Sequence, residues 1–291
     1  MVAVSFEFFP PTTPSGRQRL AGCAAELARF DPAFLSVTYG AGGTSRERTV
    51  GAIAELTSTL DVPVAGHLTT INASKDDIHR VIDRYVELGV GHIVALRGDP
   101  PEDATPPTDV GYETAAELVT AIRSRPDGDR FDLSVAAYPE VHPKAASGQS
   151  DLDNLKRKVD AGADRAITQF FFDPDVFLRF QDRAVAAGVD VPIVPGIMPV
   201  ANFGGVARFA GRCGATIPEW LSALLADLDD DPEVQQPVAA IVAAEQCRRL
   251  VEGGVDRFHF YTMNRRQLPA ATCRALGLRA RPSVATTELA P

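Results

Sequence analysis

Glu7 stands in the run Phe6-Glu7-Phe8-Phe9. A carboxyl with aromatic neighbours is expected in an apolar setting. Desolvation raises a carboxyl pKa, so Glu7 is expected to stay protonated near neutral pH and to act as a general acid. The competing role is structural, a charge at the mouth of the fold paired with an arginine. A second group is Leu96-Arg97-Gly98-Asp99, where the glycine lets the backbone approach a flat ligand. A third is Asp151, Asn154 and Lys158, spaced i, i+3 and i+7 along one helical stripe, with Arg157 adjacent. Free N–H groups at a helix start favour an anion. Hydroxyl-binding carboxylate and amide groups beside these cations suit a ribityl-diphosphate. The alternative for such a run is a solvated helix face. Gly40-Ala41-Gly42-Gly43-Thr44 is neither a Walker motif nor a GxGxxG fingerprint, and carries little weight.

These residues must be held by an alternation of short apolar runs and longer amphipathic segments. Strands are predicted at 2–9, 33–39, 62–68, 92–96, 133–138, 165–171, 191–195 and 257–261. Helical patterns lie between them, for example at 74–88 and 150–161. Ile78, Val81, Ile82 and Tyr85 make one apolar stripe, with Ser74 and Asp77 as a capping box and Gly89 as the stop. Ser150 and Asp153 are read as the start of the second helix, and Gly162 as its end. Eight strands alternating with helices predict an α/β fold, a (β/α)8 TIM barrel formed as a single domain over 1–291. An open doubly wound sheet is the rival architecture. Extra helices are expected at 217–228 and 232–250. The proline-rich segment 100–111 is read as a semi-rigid loop over the barrel mouth or a plain surface connection, and about 279–291 as a mobile tail.

Barrel enzymes carry their chemistry at the C-terminal ends of the strands. Seven of the eight predicted strands put a polar side chain there: Glu7, Thr38 with Tyr39, His67, Arg97 with Asp99, Tyr138 with His142 beyond it, Gln169 and Tyr261. Each has a bland explanation alone; random alternation would not select one end.

The composition excludes other classes. The chain of 291 residues has 29 basic and 38 acidic side chains and a formal net charge of −9. This disfavours nucleic acid or an anionic membrane as partner. No apolar run of about 18 residues could span a bilayer. Cys23, Cys213, Cys247 and Cys273 lack zinc or CxxC spacing and are expected as reduced thiols in the cytoplasm. No leader segment or metal site is expected.

Seven blocks, in order, resemble the methylenetetrahydrofolate reductase family of the short bacterial type over almost the whole length. They are Phe6-Glu7-Phe8-Phe9-Pro10-Pro11, Ser36-Val37-Thr38-Tyr39-Gly40-Ala41, the run 92–99 ending in Leu96-Arg97-Gly98-Asp99, the run 136–143 containing Tyr138 and His142, the run 154–163, Ile167-Thr168-Gln169-Phe170-Phe171-Phe172-Asp173, and Phe258-His259-Phe260-Tyr261-Thr262.

The resemblance implies a flavoprotein oxidoreductase. NADH or NADPH would reduce bound FAD, and 5,10-methylenetetrahydrofolate would then occupy the same site and leave as 5-methyltetrahydrofolate. It implies FAD contacts from Thr38, His67, Arg97, Gly98, Asp99, Tyr138, His142, Asp151, Asn154, Arg157 and Lys158. Glu7 and Asp99 would be catalytic. Gln169, Phe209, Tyr261 and Arg265 would join them in binding substrate, Arg265 at the folate's glutamate tail. A homo-oligomer is expected, with no regulatory domain. The runs 42–45 and 100–111 depart from the family pattern, which leaves the adenine side open. The alternatives are a flavin-free relative that transfers hydride directly from NADH, and a folate-binding barrel without turnover. An aldolase-type barrel would need a Schiff-base lysine at a strand end, and there is none.

Overall fold

A computed structural model describes residues 2–39, 43–99 and 111–282, with backbone only at 43–45. The loop expected at 100–111 (except Gly111), residues 40–42 of the glycine-rich run and the tail from 283 onward lie outside the described residues.

The strands are β1 (Ala3–Phe8), β2 (Leu35–Val37), β3 (Val64–Thr69), β4 (His92–Leu96), β5 (Asp132–Ala137), β6 (Arg165–Thr168), β7 (Ile193–Val194), β8 (Gly196–Ile197) and β9 (Arg257–Tyr261). All pair in parallel, in the order β7-β6-β5-β4-β3-β2-β1-β9-β8. β7 and β8 are two halves of one stave. Val194 pairs back onto Ile167 of β6, and Gly196 and Ile197 pair onto His259 and Phe260 of β9. Pro195 lies between them and has no N–H to give to a ladder. The nine strands therefore make an eight-stave (β/α)8 barrel. The single run predicted at 191–195 is broken where the stave changes neighbours.

The connecting helices are α1 (Pro14–Ala28), α2 (Gly43–Thr59), α3 (Lys75–Glu87), α4 (Ala115–Arg123), α5 (Gly148–Asp160), α6 (Pro174–Ala186), α7 (Phe203–Cys213), α8 (Glu219–Leu225), α9 (Pro232–Glu252) and α10 (Gln267–Ala275). α3 starts at the expected capping box, Ser74 with Asp77, and buries Ile78, Ile82 and Tyr85. α5 starts earlier than expected. Its N-cap is Ser147, and Ser150 is the reciprocal partner in the box. Such a cap stabilises a helix by about 1 kcal/mol. The first extra helix is shorter than predicted, with α8 followed by a single 3-10 turn at Ala226–Leu228. Among the described residues, no helix is long and apolar enough to cross a membrane.

Strand alternation sorts the side chains into two cores. Phe6, Phe8, Leu35, Val37, Leu68, Ile93, Val135 and Phe260 belong to the large apolar cluster shared with the helices. The inside of the barrel is different. Phe34, Ala65, Ile167 and Val194 form a small apolar cluster there. Buried around it are Ser5, Ser36, His67, His92, Ser134 and His259. Some of these groups satisfy one another, while Ser36 Oγ and His67 Nε2 have no hydrogen-bond partner. Ser5 meets His259 at 2.7 Å, and His92 meets Ser134 at 2.7 Å.

Candidate functional site

Two cavities open at the C-terminal ends of the strands and share Leu96, Gly98, Ala136 and Tyr138 as a common wall. The larger, about 460 Å³, runs from the end of β4 to the start of α5. The smaller, about 290 Å³, lies over the barrel centre.

The larger cavity brings together Arg97, Asp99, His142, Asp151, Asn154, Arg157 and Lys158, besides the shared Gly98 and Tyr138. β4 delivers Arg97, Gly98 and Asp99 at its end. Gly98 has φ +81°, and a Cβ there would press into Ile71 and Thr69. The need for glycine is therefore set by the backbone turn as well as by any ligand. The loop after β5 is tied to α5, because Asp151 accepts a hydrogen bond from the backbone N–H of His142 at 3.0 Å. The His142 and Tyr138 rings pack edge to face at 4.5 Å.

Lys158 is the unusual charge here. It is 5 % exposed, and no carboxylate lies within ion-pair distance of it among the described residues. Its ammonium donates to the carbonyl of Ala136. Burial lowers its pKa from 10.5 to about 8, the Asp151 carboxylate opposing and Arg157 reinforcing the shift. An ammonium buried this way, in the last turn of α5 and facing a cavity that also reaches the first turn of that helix, fits an anionic ligand.

Glu7 lies at the floor of the smaller cavity. Its surroundings correct the expectation from the sequence. Phe6 and Phe8 point to the opposite side of β1, into the outer core. Glu7 instead faces two imidazoles. His67 Nε2 is 3.3 Å and His259 Nε2 is 3.5 Å from the same carboxylate oxygen, Oε2. Burial acts to raise the pKa of Glu7, but the two histidines outweigh it and lower the value from 4.5 to about 2. The two histidines thus favour the carboxylate form of Glu7, against the neutral acid that its sequence neighbours imply. Beyond this ion-pair contact, His67 Nε2 is buried with no other partner. Thr69 Oγ1, on the same wall, is also buried and unpartnered.

Thr38, Tyr39, His67, Gln169, Phe209 and Tyr261 line this cavity as well. Tyr261 offers its ring, because its hydroxyl donates to the carbonyl of Thr168 at 2.7 Å. Gln169 Oε1 accepts from the N–H of Phe170. Phe209, on α7, stacks on Phe170 with ring centres 5.5 Å apart. Arg265 is exposed in the turn after β9 and lines neither cavity.

Sequence reasoning gave no role to Lys144, whose ammonium bonds Asp99 Oδ1 at 2.6 Å, or to His259. Lys144 sits in a loop 45 residues from Asp99, and no periodicity connects them. His259 could have been found. It is two residues before Tyr261, so both face the barrel interior.

Residues 1–277 match the sequence model of the methylenetetrahydrofolate reductase family. A 5,10-methylenetetrahydrofolate reductase of Escherichia coli K12 is 47% identical over 96% of this chain and 92% of its own length. One of Pectobacterium carotovorum is 46% identical over 96% and 91%. Among solved structures, a Clostridium thermocellum protein described as binding two copies of 5-methyl-5,6,7,8-tetrahydrofolic acid aligns with a TM-score of 0.63 at 14% identity, over 94% of this chain and 93% of that one. At that identity the likeness is one of fold.

Proposed function

The chain belongs to the methylenetetrahydrofolate reductase family, and we infer that it reduces 5,10-methylenetetrahydrofolate to 5-methyltetrahydrofolate with NADH or NADPH as donor and FAD as resident carrier. The observation that carries this reading is the pair of joined cavities, one lined along α5 from its first turn to a buried lysine in its last, the other floored by a carboxylate between two imidazoles.

The residues fit FAD. Lys158 and Arg157, in the last turn of α5, would take the diphosphate. Asp151 and Asn154 would take ribityl hydroxyls, and Arg97, Gly98, Tyr138 and His142 would flank the cofactor. Thr38, His67 and the unpartnered Thr69 Oγ1 would serve its ring. When bound, FAD supplies a two-electron carrier that accepts hydride from the nicotinamide and passes it to the folate.

The smaller cavity suits a flat substrate. Phe209 and Tyr261 offer ring faces, Gln169 and Asp99 offer polar edges, and Arg265 is exposed at the rim for a glutamate tail. Glu7 would protonate the folate nitrogen whose release opens the five-membered ring. Its carboxylate must first take up a proton. Burial already pushes Glu7 toward the neutral acid, and a ligand that excludes water from the cavity strengthens that push.

The test is direct. The purified protein should be yellow, and denaturation should release FAD rather than FMN. Anaerobic mixing with the nicotinamide should bleach the flavin, and methylenetetrahydrofolate should restore its colour. A colourless protein that still reduces the folate would overturn the flavin reading in favour of direct hydride transfer. A flavoprotein that the folate does not reoxidise would overturn the substrate.

A further inference from the structure

α7 brings Phe209 to the smaller cavity, and the helix is fixed at both ends. At its start, Asp229 Oδ1 accepts from the N–H of Phe203 at 2.6 Å, and Oδ2 from that of Gly204 at 2.7 Å. The buried Gln235 donates to Asp229 Oδ1 at 2.6 Å and holds that carboxylate in turn. At its end, Gly214 packs so closely on Pro143 that a Cβ would press into the proline ring. Just beyond, the N–H of Thr216 donates to the Glu140 carboxylate, 2.9 Å from Oε1 and 3.1 Å from Oε2. Glu140 and Pro143 belong to the loop after β5 that carries His142. Side chains on the last turn of α7 therefore keep a set place beside both cavities.

Arg212 stands on that last turn. It follows Phe209 by three residues, a spacing that puts two side chains on one helix face. Its Cζ lies 5.6 Å from the centre of the Phe209 ring, a cation–π contact. The side chain is exposed, and among the described residues no carboxylate lies within ion-pair distance of it. A ring engages only part of the guanidinium fork, which leaves N–H donors for a phosphate or a carboxylate. Arg208, one turn earlier, lies toward Asp229 instead. The N–H of Gly204 chiefly lowers the pKa of Asp229, and the charge of Arg208 adds to the effect. Burial raises the pKa of Cys213, next to Arg212, while the Arg212 charge lowers it and that of Asp99 raises it. The end of α7 is thus within electrostatic reach of Asp99, at the mouth of the larger cavity. A cation in the last turn also complements the helix dipole, but that gives it no reason to rest on the aromatic that lines the substrate chamber.

We propose that Arg212 is a specificity-determining residue, which binds an anionic group, phosphate or carboxylate, of the substrate that lies against Phe209. The inference rests on the proposed alternation of a nicotinamide nucleotide and a folate in the smaller cavity. Both are anions: the first carries a diphosphate, the second the carboxylates of its glutamate tail. In a chain of net charge −9, an unpaired cation at the chamber offsets the repulsion that such ligands meet on approach. Arg212 makes and breaks no covalent bond and moves no proton. It holds the ground state and the transition state alike, so its loss weakens binding and leaves the transfer rate at saturation unchanged.

The experiment uses the full-length flavoprotein with Arg212→Met, Arg212→Lys and Arg208→Met. Stopped-flow traces over a range of NADH, and separately of methylenetetrahydrofolate, give a Kd and a limiting rate for each half-reaction. Arg212→Met should raise the Kd of at least one of the two by roughly 5- to 10-fold and leave both limiting rates within about 2-fold. A rise confined to NADH identifies the diphosphate as the bound group, and one confined to the folate identifies the glutamate carboxylates. Added salt should weaken binding of that substrate less in Arg212→Met than in the wild type. Arg212→Lys, which keeps the charge, should recover most of the affinity, and Arg208→Met should bind both substrates as the wild type does. An Arg212→Met enzyme that melts earlier with both Kd values unchanged would reduce Arg212 to a helix-end charge and overturn the proposal. So would a limiting rate that falls at constant Kd, a lysine no better than methionine, or an Arg208→Met enzyme with the same loss. A wild type whose flavin the folate never reoxidises would instead sink the substrate assignment, while the NADH traces would still report on Arg212.

Discussion

The ammonium of Lys144 reaches the carboxylate of Asp99 at 2.6 Å and so joins the loop after β5 to the end of β4 across the mouth of the larger cavity. This bond is the main reason that the pKa of Asp99 is lowered, with Lys144 and Arg97 also acting through their charges. Asp99 therefore enters the site as an anion whose charge is partly balanced. An anion near a flavin disfavours the negatively charged reduced form. Asp99→Asn should raise the flavin midpoint potential, and Lys144→Met, which leaves the anion unbalanced, should lower it. Potentiometric titration of both variants checks the opposite signs. Equal or absent shifts would mean that the pair lies too far from the cofactor to tune it.

Glu7→Gln keeps the size of the side chain and removes the transferable proton. Reduction of the flavin by the nicotinamide should continue at close to the normal rate, and folate reduction should fall by at least ~100-fold. Stopped-flow traces of bleaching and recolouring separate the steps. Slowing of both would reassign Glu7 to positioning of the cofactor.

Glu7 should also mark the acid limb of stability. Unfolded, its carboxyl titrates near 4.5, and folded, near 2. Between those values the unfolded chain binds the extra proton, so stability falls as pH drops through that window. Urea unfolding from pH 6 to pH 2 should show a shallower decline for Glu7→Gln than for the wild type. Parallel curves would indicate that other carboxylates govern acid unfolding.

Lys158 opposes stability in the cofactor-free protein. Its pKa is about 8 when folded and 10.5 when exposed, which corresponds to on the order of 3 kcal/mol against the charged form. The unfolded chain holds more protons between those values, so stability rises with pH from about 8 to 10.5, and that contribution is lost as pH falls through 8. Lys158→Met should stabilise the flavin-free protein at pH 7 by about 1 kcal/mol or more, since the lost bond to Ala136 offsets part of the gain. FAD affinity should fall by at least ~10-fold, given a charge-assisted contact of about 1.5–3 kcal/mol. Thermal melts and flavin titration give the two readings. A variant that is less stable without flavin would show that the ammonium is well accommodated.

The barrel was legible because buried parallel strands read as short apolar runs between capped helices. Ser74, Asp77, Ile78 and Ile82 carry that signal on their own. The site was legible as a set of strand ends, and nearly all of its expected residues share the two cavities. The environment of Glu7 was not legible. Adjacent residues in a strand face opposite sides, so Phe6 and Phe8 reported on the outer core while His67, His259 and Tyr261 surrounded the carboxylate. Phe209 stands on a helix after the seventh stave, where no strand-end rule applies, and only family resemblance pointed to it. The cap of α5 was misplaced because Ser147 and Ser150 are both competent caps, and the choice between them depends on the path of the preceding loop.

The break at Pro195 has a mechanical consequence. A closed barrel is stiff because it has no edges, but here one stave changes neighbours at a residue that has no N–H to give, although its carbonyl accepts from the N–H of His259. Each half-stave is two residues long and pairs with a different neighbour, with the Gly196 N–H on Thr168 Oγ1 as a side-chain link back to β6. Met198, just past the break, lines the smaller cavity, whereas Arg97 and Lys158 stand on the uninterrupted arc of β4 and β5 with the helix behind it. The soft part of the wall thus lies toward the chamber in which two unlike substrates would alternate, and the rigid part toward the ligand that stays. The backbone amides of Ile193, Val194, Gly196 and Ile197 should exchange with solvent well before those of β3 and β4.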